Sequence, residues 1–247
     1  MNLHALIVIY AFLHAPFTHF SSKRNTHYQL PQELNEVKIA IIGIELCQLV
    51  CAHKIMDKDS NLKIHLISEN AEAGLIGELP GLITQPFSNT IPNEWIGELG
   101  SQLPTSSDTA VRRSWLEKAM ATKLVERGAN LHLRTTIQRT QTESGETINL
   151  SGAGHSSGST LLVEKVITRP EDNNSIHWKG GVHNEGLIGS DYEGSRPDGL
   201  VEIWWSAEQE PPMSDGKWLQ LMDWTGIDPQ LSLEKEVELG HSLASIA

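Results

Sequence analysis

A chain of 247 residues can bury one sizeable core, as a single large domain or as a domain carrying an insertion. Its composition is that of an ordinary globular protein, with 39% hydrophobic residues and 20 glycines. The formal net charge of −12 excludes non-specific nucleic-acid binding, because Lys and Arg are too few to displace phosphate counterions.

Residues 1–30 form a hydrophobic N-terminal segment that opens with LHALIVIYAFLHAPF. No basic stretch precedes it, and His4, His14 and Pro16 cut it short of the about 20 apolar residues that span a bilayer. It reads as a poorly formed signal peptide or an anchor-like arm, and residues 3–17 are the one place where membrane contact is expected. The cysteines Cys47 and Cys51 sit four apart in one predicted helix and give no disulfide framework. That suits a reducing, cytoplasmic compartment. Structural zinc wants four ligands, so the pair is expected to be small apolar packing, with no metal site.

Val37–Gly43 is a continuous Ile-rich run, as expected of a strand buried on both faces. Glu45–Lys58 follows with helical spacing, and Leu62–Ser68 is a second strand, which makes a βαβ unit. From Glu69 to Ser107 glycines and prolines alternate with Leu, Ile, Phe and Trp, the pattern of a long ordered excursion over the surface. A helix of about five turns is expected next, capped by Ser107 or Asp108, with Val111, Trp115, Leu116, Ala119, Met120 and Leu124 on one side and Gly128 at its end.

Leu131–Ile137 is the next predicted strand, TESGET a hairpin turn, and SGAGHSSGST a mobile turn feeding the strand Leu161–Thr168. The glycines of SGAGHSSG follow no buried strand and open no helix, so they are not read as a phosphate cradle. Residues 170–216 form a small β-rich insertion, with Gly180–Gly181 among its turns. Lys217–Met222 is a short strand, DWTGIDPQLS a loop, and Leu231–Ile246 a terminal helix.

A buried strand, a glycine and a helix in immediate succession is how a nucleotide-binding βα turn begins. In the pattern Gly-x-Gly-x-x-Gly, the first glycine makes the turn, the second lets a diphosphate touch the backbone, and the third lets helix and strand pack closely. Here Gly43 fills the first position, while Glu45 and Gln48 stand at the second and third. A carboxylate beside a diphosphate at about 4 Å costs roughly 4 kcal/mol per charge pair under surface-like screening. Trp204, Trp205, Trp218 and Trp224 either fill a sheet core or offer a stacking surface. His177 and His183 either face a cavity as acid or base, or lie half-exposed on a hairpin.

The segment VKIAIIGIELCQLVCAHKIMDKDSNLKIHLIS resembles the opening βαβ of flavoproteins with two dinucleotide-binding domains. RSWLEKAMATKLVERGANLHLRTTI with LLVEKVITRP is similar to their next helix–strand unit and the strand closing the cofactor domain. LMDWTGIDPQLSLEKEVELGHSLASIA resembles the C-terminal flavin segment of the amine-oxidase and phytoene-desaturase branch. The resemblance implies an α/β, FAD/NAD(P)-binding Rossmann-like fold, three-layered around a mostly parallel sheet. Residues 37–169 would be its first part and residues 217–247 its closing strand and helix.

It also implies FAD as cofactor and a small-molecule substrate that gives a hydride to the flavin. The cofactor contacts it implies are Gly43, Ile44 and Glu45 at the first turn, and Ser68 or Glu69 at the end of the second strand. The backbone near Ile137 and the pair Asp223 and Trp224 at the flavin end complete them. In the last helix, Glu234 of the first turn is the one acid expected near the anion-binding end. The catalytic group is not named by the sequence. Glu45, Gln48, Ser68 and the short insertion leave a second reading open, a flavin-free relative that serves as a structural or partner-binding module.

Overall fold

The computed structural model of the chain describes residues 37–75, 79–97, 103–142, 145–171, 175–212 and 217–247. The hydrophobic N-terminal segment, with its candidate membrane contact at residues 3–17, lies outside the described residues. Among the described residues no helix is long and apolar enough to cross a membrane.

In chain order, β1 (Lys38–Ile42) turns into α1 (Leu46–Lys58) and returns as β2 (Lys63–Ile67). A loop carrying the short helix α2 (Phe87–Thr90) and a 3₁₀ turn at Asn93–Trp95 leads to α3 (Arg113–Glu126). Then come β3 (Asn130–His132), β4 (Thr135–Thr142), β5 (Gly145–Gly152), β6 (Thr160–Val163) and β7 (Lys165–Thr168). The rest is β8 (Ile176–His183), β9 (Glu193–Ser195), β10 (Val201–Ser206), β11 (Gln220–Gly226) and α4 (Ser232–Ser245).

Three sheets result, ordered β3-β2-β1-β7, β4-β5-β6 and β11-β8-β10-β9. The first is wholly parallel and the other two antiparallel. Period-two alternation in β1 explains its continuous apolar run. Ile39 and Ile41 pack toward the helices, whereas Ala40 and Ile42 pack toward the meander β4-β5-β6. Helices, parallel sheet and meander are the three layers.

In the helical layer, α4 lies against α1 so closely that a Cβ on Gly240 would come 2.6 Å from the Cys47 carbonyl oxygen and from Val50 Cβ. Lys58 Nζ ties the two helices by donating to the Ala244 carbonyl at 2.9 Å. The first strand's helix and the last helix of the chain are therefore neighbours.

Several elements depart from expectation for identifiable reasons. The helix expected from Ser107 or Asp108 begins at Arg113, because Asp108 closes its own turn by accepting from Thr105 N–H at 2.7 Å. Thr109 and Ala110 then donate to the Ser195 carbonyl, which holds the chain extended against the antiparallel sheet. Gly128 ends the helix as expected, with φ +97°.

The strand expected over Leu131–Ile137 breaks at Leu133–Arg134, where Arg134 has φ +51°. Its second half starts the meander, so Ile137 faces Leu150 of β5 and does not continue β3. Leu161–Thr168 likewise divides at Glu164 between β6 of the meander and β7 of the parallel sheet. The loop between β5 and β6 is pinned rather than free, since Ala153 and Gly154 donate to the Arg134 carbonyl and Gly158 to that of Leu150.

Gly180 and Gly181 are not a turn but the middle of β8. A Cβ on Gly180 would meet the Trp204 ring at 2.8 Å, and one on Gly181 would meet the Trp218 ring at 2.2 Å. Each glycine admits one indole on one face of the strand. Asp223–Gly226, expected as loop, is the second half of β11 and pairs with β8. The closing segment thus gives its strand to the antiparallel sheet and its helix to the α layer.

Candidate functional site

The parallel sheet presents its carboxyl ends, where ligands of open α/β sheets bind, at the Gly43 turn, at Ser68 and at Arg169. Gly43 has φ +112°, a conformation that favours glycine, and its N–H donates to the Ile67 carbonyl at 2.8 Å. Gln48, 3% exposed, tucks its side chain under this turn and donates to the Ile42 carbonyl at 3.4 Å. A Cβ on Gly43 would lie 2.6 Å from Gln48 Nε2, so the glutamine fills the gap that a glycine in its place would leave.

Glu45 occupies the N-cap of α1, yet its side chain makes no cap hydrogen bond. The first helical bond runs from Leu49 N–H to the Glu45 carbonyl at 3.0 Å. The N–H groups of Leu46, Cys47 and Gln48 stand ahead of that ladder at a buried helix end, where the positive end of the helix dipole attracts anions.

Across from this helix end stands Arg169, the residue after β7. Its guanidinium lies 3.2 Å from Glu45 Oε2 and 2.6 Å from Glu236 Oε1 on α4. Burial opposes the charge on Arg169, but Glu236 and Glu45 more than offset it and hold the group protonated. Burial, reinforced by Glu236, pushes the Cys47 thiol far above its ordinary range, and burial pushes Cys51 up to about 12. Both cysteines are inert packing, and no cluster able to hold a metal ion occurs among the described residues.

Beside Arg169 opens a cleft of about 360 Å³, lined among others by Trp224, Gly226, Asp228, Ser232 and Glu236. It lies between the end of β11 and the first turn of α4. Gly226 lets the Trp224 ring fold back over the strand, since a Cβ there would come 2.0 Å from the indole.

The predicted site residues are distributed unevenly around this centre. Gly43 and Glu45 meet at the helix end, while Ile44 is buried against the helical core. Ser68 ends β2, its N–H on the His132 carbonyl at 2.9 Å and its Oγ accepting from Asn70 N–H at 3.1 Å. Glu69 beside it is exposed. Ile137 belongs to β4 and packs into the layer between meander and parallel sheet. Trp224 lines the cleft, but Asp223 projects from the opposite face of β11, where it is bonded to His177.

Glu234 bonds to Thr84 N–H at 3.1 Å, and it is Glu236 that enters the site. Sequence reasoning missed both Arg169 and Glu236. The available signal was a lone arginine closing a buried apolar strand, and a glutamate one turn into a helix at the same sheet edge.

No family model and no curated protein sequence matches the chain. Solved structures do. The p-nitrophenol 4-monooxygenase PnpA from Pseudomonas putida DLL-E4 is similar with a TM-score of 0.60 at 8% identity, over 85% of this chain and 80% of that one. The fold is α/β and Rossmann-like, layered around a parallel sheet. A flavoprotein/dehydrogenase from Cytophaga hutchinsonii gives a TM-score of 0.55 at 10% identity, over 85% of this chain and 77% of its own. CabE, an aromatic hydroxylase from angucycline biosynthesis, gives 0.53 at 13% identity, and the chain spans only 62% of its length. At these identities the likeness shows the fold alone.

Proposed function

We propose that the chain is a flavin-dependent oxidoreductase that binds FAD along the carboxyl edge of its parallel sheet and oxidises a small organic molecule. The observation that carries this reading is the buried N-terminus of α1, uncapped by any side chain, facing the Arg169 guanidinium across the Gly43 turn. A buried helix end without partners calls for an anion. The residues present fit a diphosphate there. Three N–H groups and one guanidinium are donors, and the repulsion counted against Glu45 is answered by Arg169.

In this reading the N–H groups of Leu46, Cys47 and Gln48 hold the diphosphate and Arg169 neutralises it. Ser68 or Glu69 accepts from the ribose at the end of β2. Trp224 shields the ring end of the cleft from water. FAD, when bound, supplies the electron-accepting ring that carries the redox step. The narrower version, hydride transfer from a C–N or C–C bond as in amine oxidases, rests on the sequence likeness of the closing segment. The orientation of Asp223 weakens that version. The hydroxylase and monooxygenase names borne by proteins of like fold favour an aromatic substrate instead.

One observation favours the second reading, a flavin-free module. Arg169 is already paired with both Glu45 and Glu236, so the helix end has an internal counter-charge of its own. The visible spectrum of the purified protein and its thermal stability with added FAD separate the two. A flavoprotein is yellow, or gains about 2.7 kcal/mol of stability at FAD concentrations 100 times its Kd. A colourless protein that FAD does not stabilise establishes the flavin-free module.

A further inference from the structure

On the meander side of the parallel sheet, three side chains that the flavin reading does not use form one hydrogen-bonded line. His65 of β2 and His132 of β3 are diagonal neighbours in register, and both are buried. His65 Nδ1 lies 2.9 Å from His132 Nε2. His132 Nδ1 lies 2.7 Å from the hydroxyl of Ser156, which is half-buried in the loop between β5 and β6. The imidazole planes are 17° apart with centroids 5.2 Å apart, so the rings meet edge to edge through their nitrogens.

The loop is held in place by other bonds. Besides those that pin it to the Arg134 and Leu150 carbonyls, Ser157 N–H closes a turn on the Gly154 carbonyl at 3.1 Å. These bonds leave the N–H groups of His155 and Ser156 without an acceptor among the described residues. A reachable hydroxyl on a buried imidazole, a third group orienting that imidazole, and unengaged amides in the hydroxyl's own turn are the parts of an acyl-transfer site.

The connectivity fixes the ring hydrogens. For His132 Nδ1 to accept from the Ser156 O–H, its Nε2 carries the hydrogen and donates it to His65 Nδ1. Burial lowers His132 below its ordinary range, and burial, helped by His132 and Lys38, lowers His65 to about 4. His132 is therefore neutral at pH 7 and a weak base, which suits a substrate whose leaving group departs with little help.

We propose that Ser156 is the nucleophile of an esterase site, with His132 as general base and His65 as its positioning residue. Its substrates are small carboxylic esters with good leaving groups that reach the loop from solvent. Ser156 Oγ adds to the ester carbonyl while His132 Nδ1 takes its proton. The carbonyl oxygen, now an anion, accepts from the His155 and Ser156 N–H groups. Collapse breaks the ester C–O bond, the alcohol leaves with the proton from His132, and Ser156 is left acylated. Water then adds to the acyl carbonyl and gives its proton to His132. The carboxylic acid departs as Ser156 Oγ takes that proton back.

The test is hydrolysis of p-nitrophenyl acetate by the full chain, with labelling by phenylmethylsulfonyl fluoride read by peptide mass spectrometry. The wild type is expected to turn the ester over and to carry the sulfonyl group on Ser156. Ser156→Ala and His132→Gln should each lower kcat about a hundredfold. His65→Leu should lower kcat at least about tenfold at unchanged KM, and His65→Gln, whose amide oxygen accepts the His132 N–H, should restore most of it. Circular dichroism checks the folding of each variant, and the labelling of the wild type does not depend on them. No sulfonyl group on Ser156 overturns the proposal, as does wild-type turnover in Ser156→Ala or in His65→Leu. The result is independent of flavin content, since a colourless protein that FAD does not stabilise can still show turnover that requires Ser156.

Discussion

The parallel sheet and the antiparallel sheet of this protein are stabilised in different ways. In the parallel half, strands covered on both faces bury near-continuous aliphatic runs, and polar groups enter the interior singly or in small sets such as Arg113 with Glu117 and His65 with His132. His53, for example, is fully buried between α1 and α3, with Nε2 on the Met120 carbonyl at 3.1 Å and Nδ1 2.9 Å from Arg127. In the antiparallel half the interior is indole-rich and organised around one carboxylate. Glu202, fully buried, accepts from Gly81 N–H at 2.8 Å, from Trp204 Nε1 at 2.7 Å and from Arg196 Nε at 2.8 Å. The first design is tolerant and local. The second gathers the Gly81 backbone, an indole and a guanidinium onto a single side chain.

That contrast predicts where the molecule is brittle. Glu202→Ala leaves the buried Arg196 guanidinium without its counter-charge and should cost about 3–5 kcal/mol, read by urea denaturation. A loss near zero would mean that the indoles alone hold the sheet. The parallel half should instead be brittle toward acid. Burial lowers His53 from its ordinary 6.5 to about 3 and, helped by His132, lowers His65 to about 4.

Because the unfolded chain binds these protons and the folded one does not, stability is complete above pH 6.5 and falls as pH drops from there toward 4 and 3. The loss should be on the order of 3 kcal/mol per histidine, and His53→Gln should flatten the slope. The helix layer is tested by Gly240→Val, whose side chain meets the Cys47 carbonyl and Val50. Overpacking there should cost about 1–3 kcal/mol and shift the melting temperature without touching the antiparallel sheet.

The same contrast explains what could be read from the sequence. The apolar run of β1, the helical spacing of α1 and the return of β2 are legible because burial on both faces leaves a pattern in neighbouring residues. The C′ glycine Gly128 is legible for a similar local reason. The division of Leu131–Ile137 is not, because a single αL residue, Arg134, redirects the chain into another sheet. Nor is the role of Gly180–Gly181, whose partners Trp204 and Trp218 lie across the sheet and in a later segment.

In the candidate site, Gly43 and Glu45 are visible as departures from or matches to a local pattern. Arg169 and Glu236 are brought to the same helix end only by the crossover of β7 and the docking of α4. A penalty assigned to Glu45 alone therefore overstated the damage, since its neutralising partner is 124 residues away in the chain.

The central claim is that the N-terminus of α1 and Arg169 together form the anion cradle. It is tested most directly by calorimetric titration of FAD into the wild type, Glu45→Gln and Arg169→Ala. The account predicts binding to the wild type, about tenfold tighter binding to Glu45→Gln, and at least about tenfold weaker binding to Arg169→Ala, each step near 1.4 kcal/mol. Equal affinities for the wild type and Arg169→Ala, or no binding to any of the three, would contradict it.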